Sequence, residues 1–233
     1  MERDLARRAT AEAVGTAFLV AIVVGSGIAA QRLSPDDVGL QLLESSIATG
    51  AGLVAIILAF GPVSGAHFNP VVTLADRLLG GISTRAACAY VGAQIAGGCV
   101  GAVVANLMFD LRAINISTHA RSSGGLWLGE LVATFGLLLV ILGVARRGRD
   151  ALAPFAVGGY IAAAYWFTSS TSFANPAVTI ARTLSNTFAG IRPSSAPPFV
   201  VAEIAGALGA VALARFLHPT VVDADVVSPE RAS

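Results

Sequence analysis

The sequence predicts an all-α integral membrane protein: six transmembrane helices plus two re-entrant half-helices, arranged as an inverted repeat. Three observations predict it. The first is composition: 55% of the 233 residues are hydrophobic and only 12% are charged, and apolar runs of about 20 residues recur, each long enough to cross a bilayer core of about 30 Å. The second is a duplicated block, Ser64-Gly65-Ala66-His67-Phe68-Asn69-Pro70-Val71-Val72-Thr73, answered by Ser172-Phe173-Ala174-Asn175-Pro176-Ala177-Val178-Thr179. The third is that the duplication extends to whole segments. Glu12-Ala13-Val14-Gly15-Thr16 matches Glu130-Leu131-Val132-Ala133-Thr134, and the stretch from Tyr90 through Gln94 to Gly97 matches Phe199 through Glu203 to Gly206.

Taken in order, the apolar segments cover residues 9–30, 40–60, 86–109, 124–145, 152–167 and 199–217. The first, behind Arg3, Arg7 and Arg8, has the outline of a signal peptide, but its features recur in the fourth segment, so it is read as a span. The duplicated blocks fall between the second and third spans and between the fifth and sixth. Each half therefore reads span, span, short motif, span. Three spans per half is an odd number, which obliges the second half to enter from the opposite side, as in inverted-repeat transport proteins. The whole chain, 1–233, is one membrane domain, with a first repeat over 9–115, a second over 123–217 and a tail over 218–233.

Every basic residue is Arg. Six spans place both termini and the loops after the second and fourth spans on one side. That side carries Arg3, Arg7, Arg8, Arg77, Arg85, Arg146, Arg147, Arg149, Arg215 and Arg231, against Arg32, Arg112, Arg121, Arg182 and Arg192 on the other. The excess predicts cytoplasmic termini in an inner, plasma membrane. A net charge of +1 without a basic stripe argues against a nucleic-acid partner. Cys88 and Cys99, eleven residues apart on one helix, are too distant to bridge and read as small packing residues.

The duplicated motif has a direct physical meaning. Asn is a good N-cap and Pro suits the first helical position, so each Asn-Pro opens a helix. The first runs from Asn69 to Gly80-Gly81, about ten residues or roughly 15 Å, half the bilayer core. Two such half-helices would meet at the midplane with their N-termini together. There their dipoles disfavour cations and the Asn69 and Asn175 amides face a passing solute. The loops 61–68 and 168–174 are unwound backbone at membrane depth, tolerated only where they line a watery path.

These residues resemble the aquaporin and aquaglyceroporin (major intrinsic protein) channels, whose signature is two Asn-Pro-Ala boxes in inverted halves. The resemblance covers about 9–217, and Ser-Gly-Ala-His-Phe-Asn-Pro is its most specific part. It implies passive transport, a homotetramer with one pore per protomer, and loop backbones held by Glu12 and Glu130. The midplane group becomes Asn69, Pro70, Val71, Asn175, Pro176 and Ala177, with His67 orienting its loop.

Two departures bear on substrate. The first box ends in Val71, and Val178 stands where an Arg usually follows the second box. Counted without gaps from the two Asn residues, the outer filter falls on Thr49, Ala163, Ser172 and Val178, a wide and mildly polar set. Arg182, seven residues after Asn175, is a candidate positive charge in the outer vestibule or a snorkelling cap. The sequence looks most like bacterial aquaglyceroporin-like channels linked to arsenic resistance. The expected cargo is therefore a neutral trihydroxy metalloid such as arsenous acid, with glycerol, urea and water as companions. An orthodox water channel is the alternative within the family.

Glu44, Gln94 and Glu203 are polar groups inside apolar segments, and Glu203 or Glu44 would be the coupling residue of a secondary transporter, the competing class. No catalytic triad, carboxylate pair, phosphate loop or metal-ligand spacing is visible, and His119 and His218 lack ligand partners nearby in sequence. Neither an enzyme nor a cofactor is expected.

Overall fold

In the computed structural model the described residues are 2–145 and 150–217, and they form helices and turns without a β-strand. The tail over 218–233 and Arg146, Arg147 and Arg149 lie outside them. The order is α1 (Glu2–Leu33), α2 (Val38–Ser64), α3 (Pro70–Leu79), α4 (Thr84–Met108), α5 (Gly124–Ala145), α6 (Ala153–Phe167), α7 (Pro176–Ala181) and α8 (Ala196–Leu217).

Local chemistry sets most boundaries. Asp37 caps α2, accepting from the Leu40 N–H at 2.9 Å, and Ser83 caps α4 through the Ala86 N–H at 3.2 Å. Gly65 and Gly80 end α2 and α3 with φ of 85° and 89°, left-handed values that a Cβ would strain. Five of these helices are long and apolar enough to cross a membrane. The fifth apolar segment gives a shorter helix, the 15 residues of α6 behind a 3₁₀ turn at Asp150–Leu152.

The two half-helices differ in length. α3 has ten residues, whereas α7 keeps α-helical geometry for six and continues as a 3₁₀ turn over Arg182–Leu184. At about 1.5 Å and 2.0 Å per residue, α7 and its turn also span about 15 Å. The change of geometry falls where the Ser185 and Ile191 N–H groups both donate to the Arg182 carbonyl, folding the chain back over the helix end.

Glycines permit the closest helix pairs. A Cβ added at Gly97 on α4 would lie 2.0 Å from the Ala13 carbonyl oxygen of α1, and one at Gly101 would lie 2.2 Å from that of Ala17. In the second half, a Cβ added at Gly206 on α8 would lie 2.4 Å from the Leu131 carbonyl oxygen of α5. Small residues let backbones approach where lipid offers no hydrophobic drive to associate. The halves then interlock: α3 packs on α8, α7 on α4, and α2 on α6.

Candidate functional site

Two loops meet between the half-helices, and each is held by a carboxylate from its own half. Glu12 on α1 accepts from the Ser64 hydroxyl at 2.6 Å, the His67 N–H at 3.0 Å, the Phe68 N–H at 2.7 Å and Gln94 Nε2 at 2.8 Å. Glu130 on α5 accepts from the Phe173 N–H at 2.9 Å and the Ala174 N–H at 2.7 Å, and the Ser170 hydroxyl also reaches it. The four backbone donors, at His67, Phe68, Phe173 and Ala174, are groups that non-helical backbone at membrane depth would otherwise leave unpaired. Phe68 and Ala174 sit at φ of 49° in both loops, a strained left-handed value that the carboxylate clamps sustain.

That geometry turns the Phe68 and Ala174 carbonyls toward the opposite half. Asn69 Nδ2 donates to the Ala174 carbonyl at 2.7 Å, and Asn175 Nδ2 donates to the Phe68 carbonyl at 2.8 Å. Each Asn Oδ1 meanwhile caps its own helix, accepting from the Val71 N–H at 3.0 Å and from the Ala177 N–H at 3.0 Å. An amide carries two N–H bonds, so each Asn cross-links the halves with one and keeps the other.

The two Asn side chains border an internal cavity of about 110 Å³, large enough for several waters given that one needs about 10–15 Å³. One wall is apolar: Leu19, Val23, Leu53, Ile57, Leu137, Ile141, Val157 and Ile161. The other is the polar edge of the loops around His67–Asn69 and Ser172–Asn175, completed by Thr49, Tyr165, Val72, Val178 and Arg182. No carboxylate lines it among the described residues.

Of the six midplane residues, only Asn69 and Asn175 reach the cavity. Val71 is buried in a cluster with Leu138, Ala207, Ala210 and Val211, so its extra bulk fills helix packing and does not narrow the passage. Ala177, fully buried, abuts Gly98 of α4, and Pro70 and Pro176 are likewise absent from the lining. The reason is helical periodicity: positions three and seven after the capping Asn share its face, while position two is about 200° away. The facing residues are thus Val72, Val178 and Arg182.

The outer set also needs one correction. Thr49, Ser172 and Val178 line the cavity, but Ala163 is exposed on the outer surface of α6. Ile161 and Tyr165, four residues apart on one face of α6, take the lining positions, and Tyr165 Oη is 3.1 Å from Thr49 Oγ1. Counting from Asn175 misses this because the count gives distance along the chain and not helix rotation. An aromatic residue therefore lines the cavity beside Thr49.

Arg182 is 3% exposed. Its Nε donates to the Ala189 carbonyl and its guanidinium lies 3.4 Å from the Phe173 ring centroid. Arg121 approaches the same ring at 5.3 Å and donates to the Gly190 and Phe188 carbonyls at 2.9 Å and 3.0 Å. Arg182 both ties down an outer loop and presents a cation to the cavity. Beyond the membrane segments, burial lowers the His119 imidazole below its ordinary range, and the Arg121 and Arg182 charges push it the same way.

His67 Nδ1 lies 3.0 Å from Thr73 Oγ1, its Nε2 faces Asp76 at 3.6 Å, and its ring packs edge-on against Tyr90. Tyr90 accepts from Arg8 Nε at 2.8 Å and donates to the Ser64 carbonyl at 2.8 Å. Arg8, Tyr90, Ser64 and Ser170 were not legible as supports from the sequence; the pairing of Ser64 with Ser170, each five residues before its Asn, was the available signal. Glu44 accepts from Ser34 at 2.8 Å and Glu203 from Thr179 at 2.6 Å, both away from the cavity lining.

Two re-entrant half-helices meeting at a passage inside a helical bundle define an integral membrane protein of the channel class. The chain belongs to the major intrinsic protein family, which matches residues 1–172. It is 54% identical over 216 residues to the aquaglyceroporin AqpS of Rhizobium meliloti, spanning 93% of this chain and 92% of that one. It is also 34% identical over 172 residues to the aquaporin NIP1-4 of Oryza sativa, spanning 70% of this chain and 60% of that protein. The X-ray structure of the aquaglyceroporin from Plasmodium falciparum superposes with a TM-score of 0.72 over 93% of this chain and 98% of that one; at 22% identity the likeness is one of fold.

Proposed function

We propose that the protein is a passive channel for small neutral hydroxylated solutes, with trihydroxy metalloids such as arsenous acid favoured and glycerol, urea and water also conducted. The observation that carries this is the two-sided cavity: an apolar wall faces a polar edge that includes both Asn side chains. A solute with a compact skeleton and several hydroxyls matches both sides, accepting from the remaining Asn N–H bonds and donating to loop carbonyls. Converging helix N-termini and the absence of a lining carboxylate among the described residues make a cation unwelcome.

The outer filter is Thr49, Tyr165, Ser172 and Val178, with Arg182 one turn further out as the vestibule cation. Val178 in place of a filter cation removes a long charged side chain there, which favours a solute bulkier than water even with the Tyr165 ring in the set. Similarity to an aquaglyceroporin supports the solute class, while the metalloid preference rests on the outer filter. The chain acts without a cofactor and is not an enzyme. It sits in the inner membrane as a homotetramer with both termini cytoplasmic, a placement supported by the Arg excess on that side and by the family resemblance.

Stopped-flow permeability of the purified protein in liposomes tests the reading by comparing water, glycerol, urea and arsenous acid. Rapid passage of all four, without dependence on a proton gradient, is expected. Passage of water alone would replace it with an orthodox water channel, and gradient-dependent saturation with a coupled transporter.

A further inference from the structure

The two halves of the repeat use different chemistry at one matched position. On α4, Gln94 donates through Nε2 to Glu12 at 2.8 Å and to Thr73 Oγ1 at 2.9 Å. Its counterpart on α8 is Glu203, whose Oε1 accepts from Thr179 Oγ1 at 2.6 Å. The Glu203 carboxyl also lies against the Glu130 carboxyl. Both carboxyls are 0% exposed.

The second half is one donor short of the first. Gln94 Oε1 and Glu203 Oε2 both lack an N–H or O–H partner among the described residues, so the halves differ at the other terminal atom, an N–H donor to Glu12 in Gln94 and a bare carboxyl oxygen in Glu203. Glu130 accepts from the Phe173 and Ala174 N–H groups and from Ser170, one donor fewer than the four that Glu12 accepts, which leaves it one acceptor site. Two ionised carboxylates in direct contact repel strongly, and such pairs keep one proton between them. The first half shows what the position requires, because Gln94 offers Glu12 an N–H there.

We propose that Glu203 is a protonated carboxylic acid whose O–H donates to Glu130, filling in the second half the role that the Gln94 amide fills in the first. Glu203 is a positioning residue: it orients Glu130, Glu130 holds the Phe173 and Ala174 N–H groups, and these set the Ala174 carbonyl that Asn69 engages. The charged groups facing the pair are Arg182 at the end of α7, which feels both carboxyls, and Arg121 from the outer loop, which feels Glu130; Tyr165 on α6 faces the two arginines. Both arginines are engaged by loop carbonyls and form no ion pair with either carboxylate among the described residues. They favour the single negative charge of the pair without supplying the missing donor. Raising the pH until the proton leaves would force two buried charges together and release the second loop.

Infrared spectroscopy of the full chain in bilayers reads the proton directly, whatever solute the channel conducts. At neutral pH the wild type is expected to show the C=O stretch of a buried, exchange-protected carboxylic acid that Glu203→Gln lacks. Glu203→Gln keeps a donor and is expected to conduct glycerol within about twofold of wild type, whereas Glu203→Ala loses the donor and falls further, by about the net worth of a hydrogen bond to a charged group. Strongly alkaline buffer should remove the band and the flux in the wild type while leaving Glu203→Gln unaffected. Identical acid bands in wild type and Glu203→Gln would overturn the proposal. So would a Glu203→Gln chain that fails to fold or conducts no better than Glu203→Ala, because the amide is the group the first half uses. Should neither variant fold, a wild-type spectrum with no alkaline-sensitive acid band overturns it equally.

Discussion

The side-chain amide of Asn69 donates to the main-chain carbonyl of Ala174, 2.7 Å away and 105 positions along the chain. Asn175 returns the contact to Phe68 at 2.8 Å. Each capping residue is thus a staple between halves, and replacing it affects assembly and permeation together. Asn175→Asp keeps the cap oxygen but cannot donate, leaving the Phe68 carbonyl unpaired at a cost of about 1–3 kcal/mol. Thermal unfolding in detergent should register the loss, and an ion-flux assay in liposomes should detect a cation leak that the wild type lacks. A leak-free variant of unchanged stability would contradict this account of the midplane.

Helix contact through Gly97 offers a stability test remote from the passage. Gly97→Ala puts a Cβ 2.0 Å from the Ala13 carbonyl, and overpacking of this kind costs about 1–3 kcal/mol. Gly92→Ala, with nothing within 4 Å of the new Cβ, is the neutral control. Melting temperatures of the two proteins should separate clearly.

Tyr165 and Ala163 distinguish the helix face from the count along the chain. Tyr165→Ala removes a ring that lines the cavity and should raise the permeability of polyols larger than glycerol relative to glycerol itself. Ala163→Phe, on the exposed side of α6, should leave that ratio alone. Reversal of the two outcomes would restore Ala163 to the filter.

Arg182 presents a cation to the cavity and ties down the Ala189 carbonyl. Arg182→Ala should raise cation permeability while neutral solutes still pass. Arg182→Lys should recover the charge but not the planar stacking on Phe173. Unaltered ion selectivity in both variants would reduce Arg182 to a structural cap.

His119 gives the outer loops a pH dependence whose sign can be worked out. Partial desolvation and the Arg121 and Arg182 charges lower its folded-state value below the ordinary imidazole value of 6.5. The unfolded chain therefore binds the proton first as pH falls through that value, and stability drops as the solution is acidified. Because the ring is exposed, solvent screens the effect and the shift in melting temperature should be small. His119→Gln should flatten the curve below neutral pH, and an unchanged slope would assign the acid sensitivity to other groups.

Much of this protein can be read from local rules. Asn-Pro starts a helix wherever it falls, Gly80 ends one, and apolar runs must cross lipid, so the spans, the half-helices and the inverted repeat follow from residue order alone. Glu12 and Glu130 are legible as loop supports only through the family resemblance; nothing in their spacing names Phe68 or Ala174 as partners.

The remaining features depend on which way each helix is turned when the bundle closes. Rotation about a helix axis is set by packing against neighbours, and no residue count supplies it. Val71 consequently lies among α8 side chains, Ala163 lies on the outer surface, and Tyr165 and Arg182 border the cavity. The sequence announces that two Asn-Pro boxes must meet; long-range packing between α3 and α8, α7 and α4, and α2 and α6 selects the side chains that surround the meeting point.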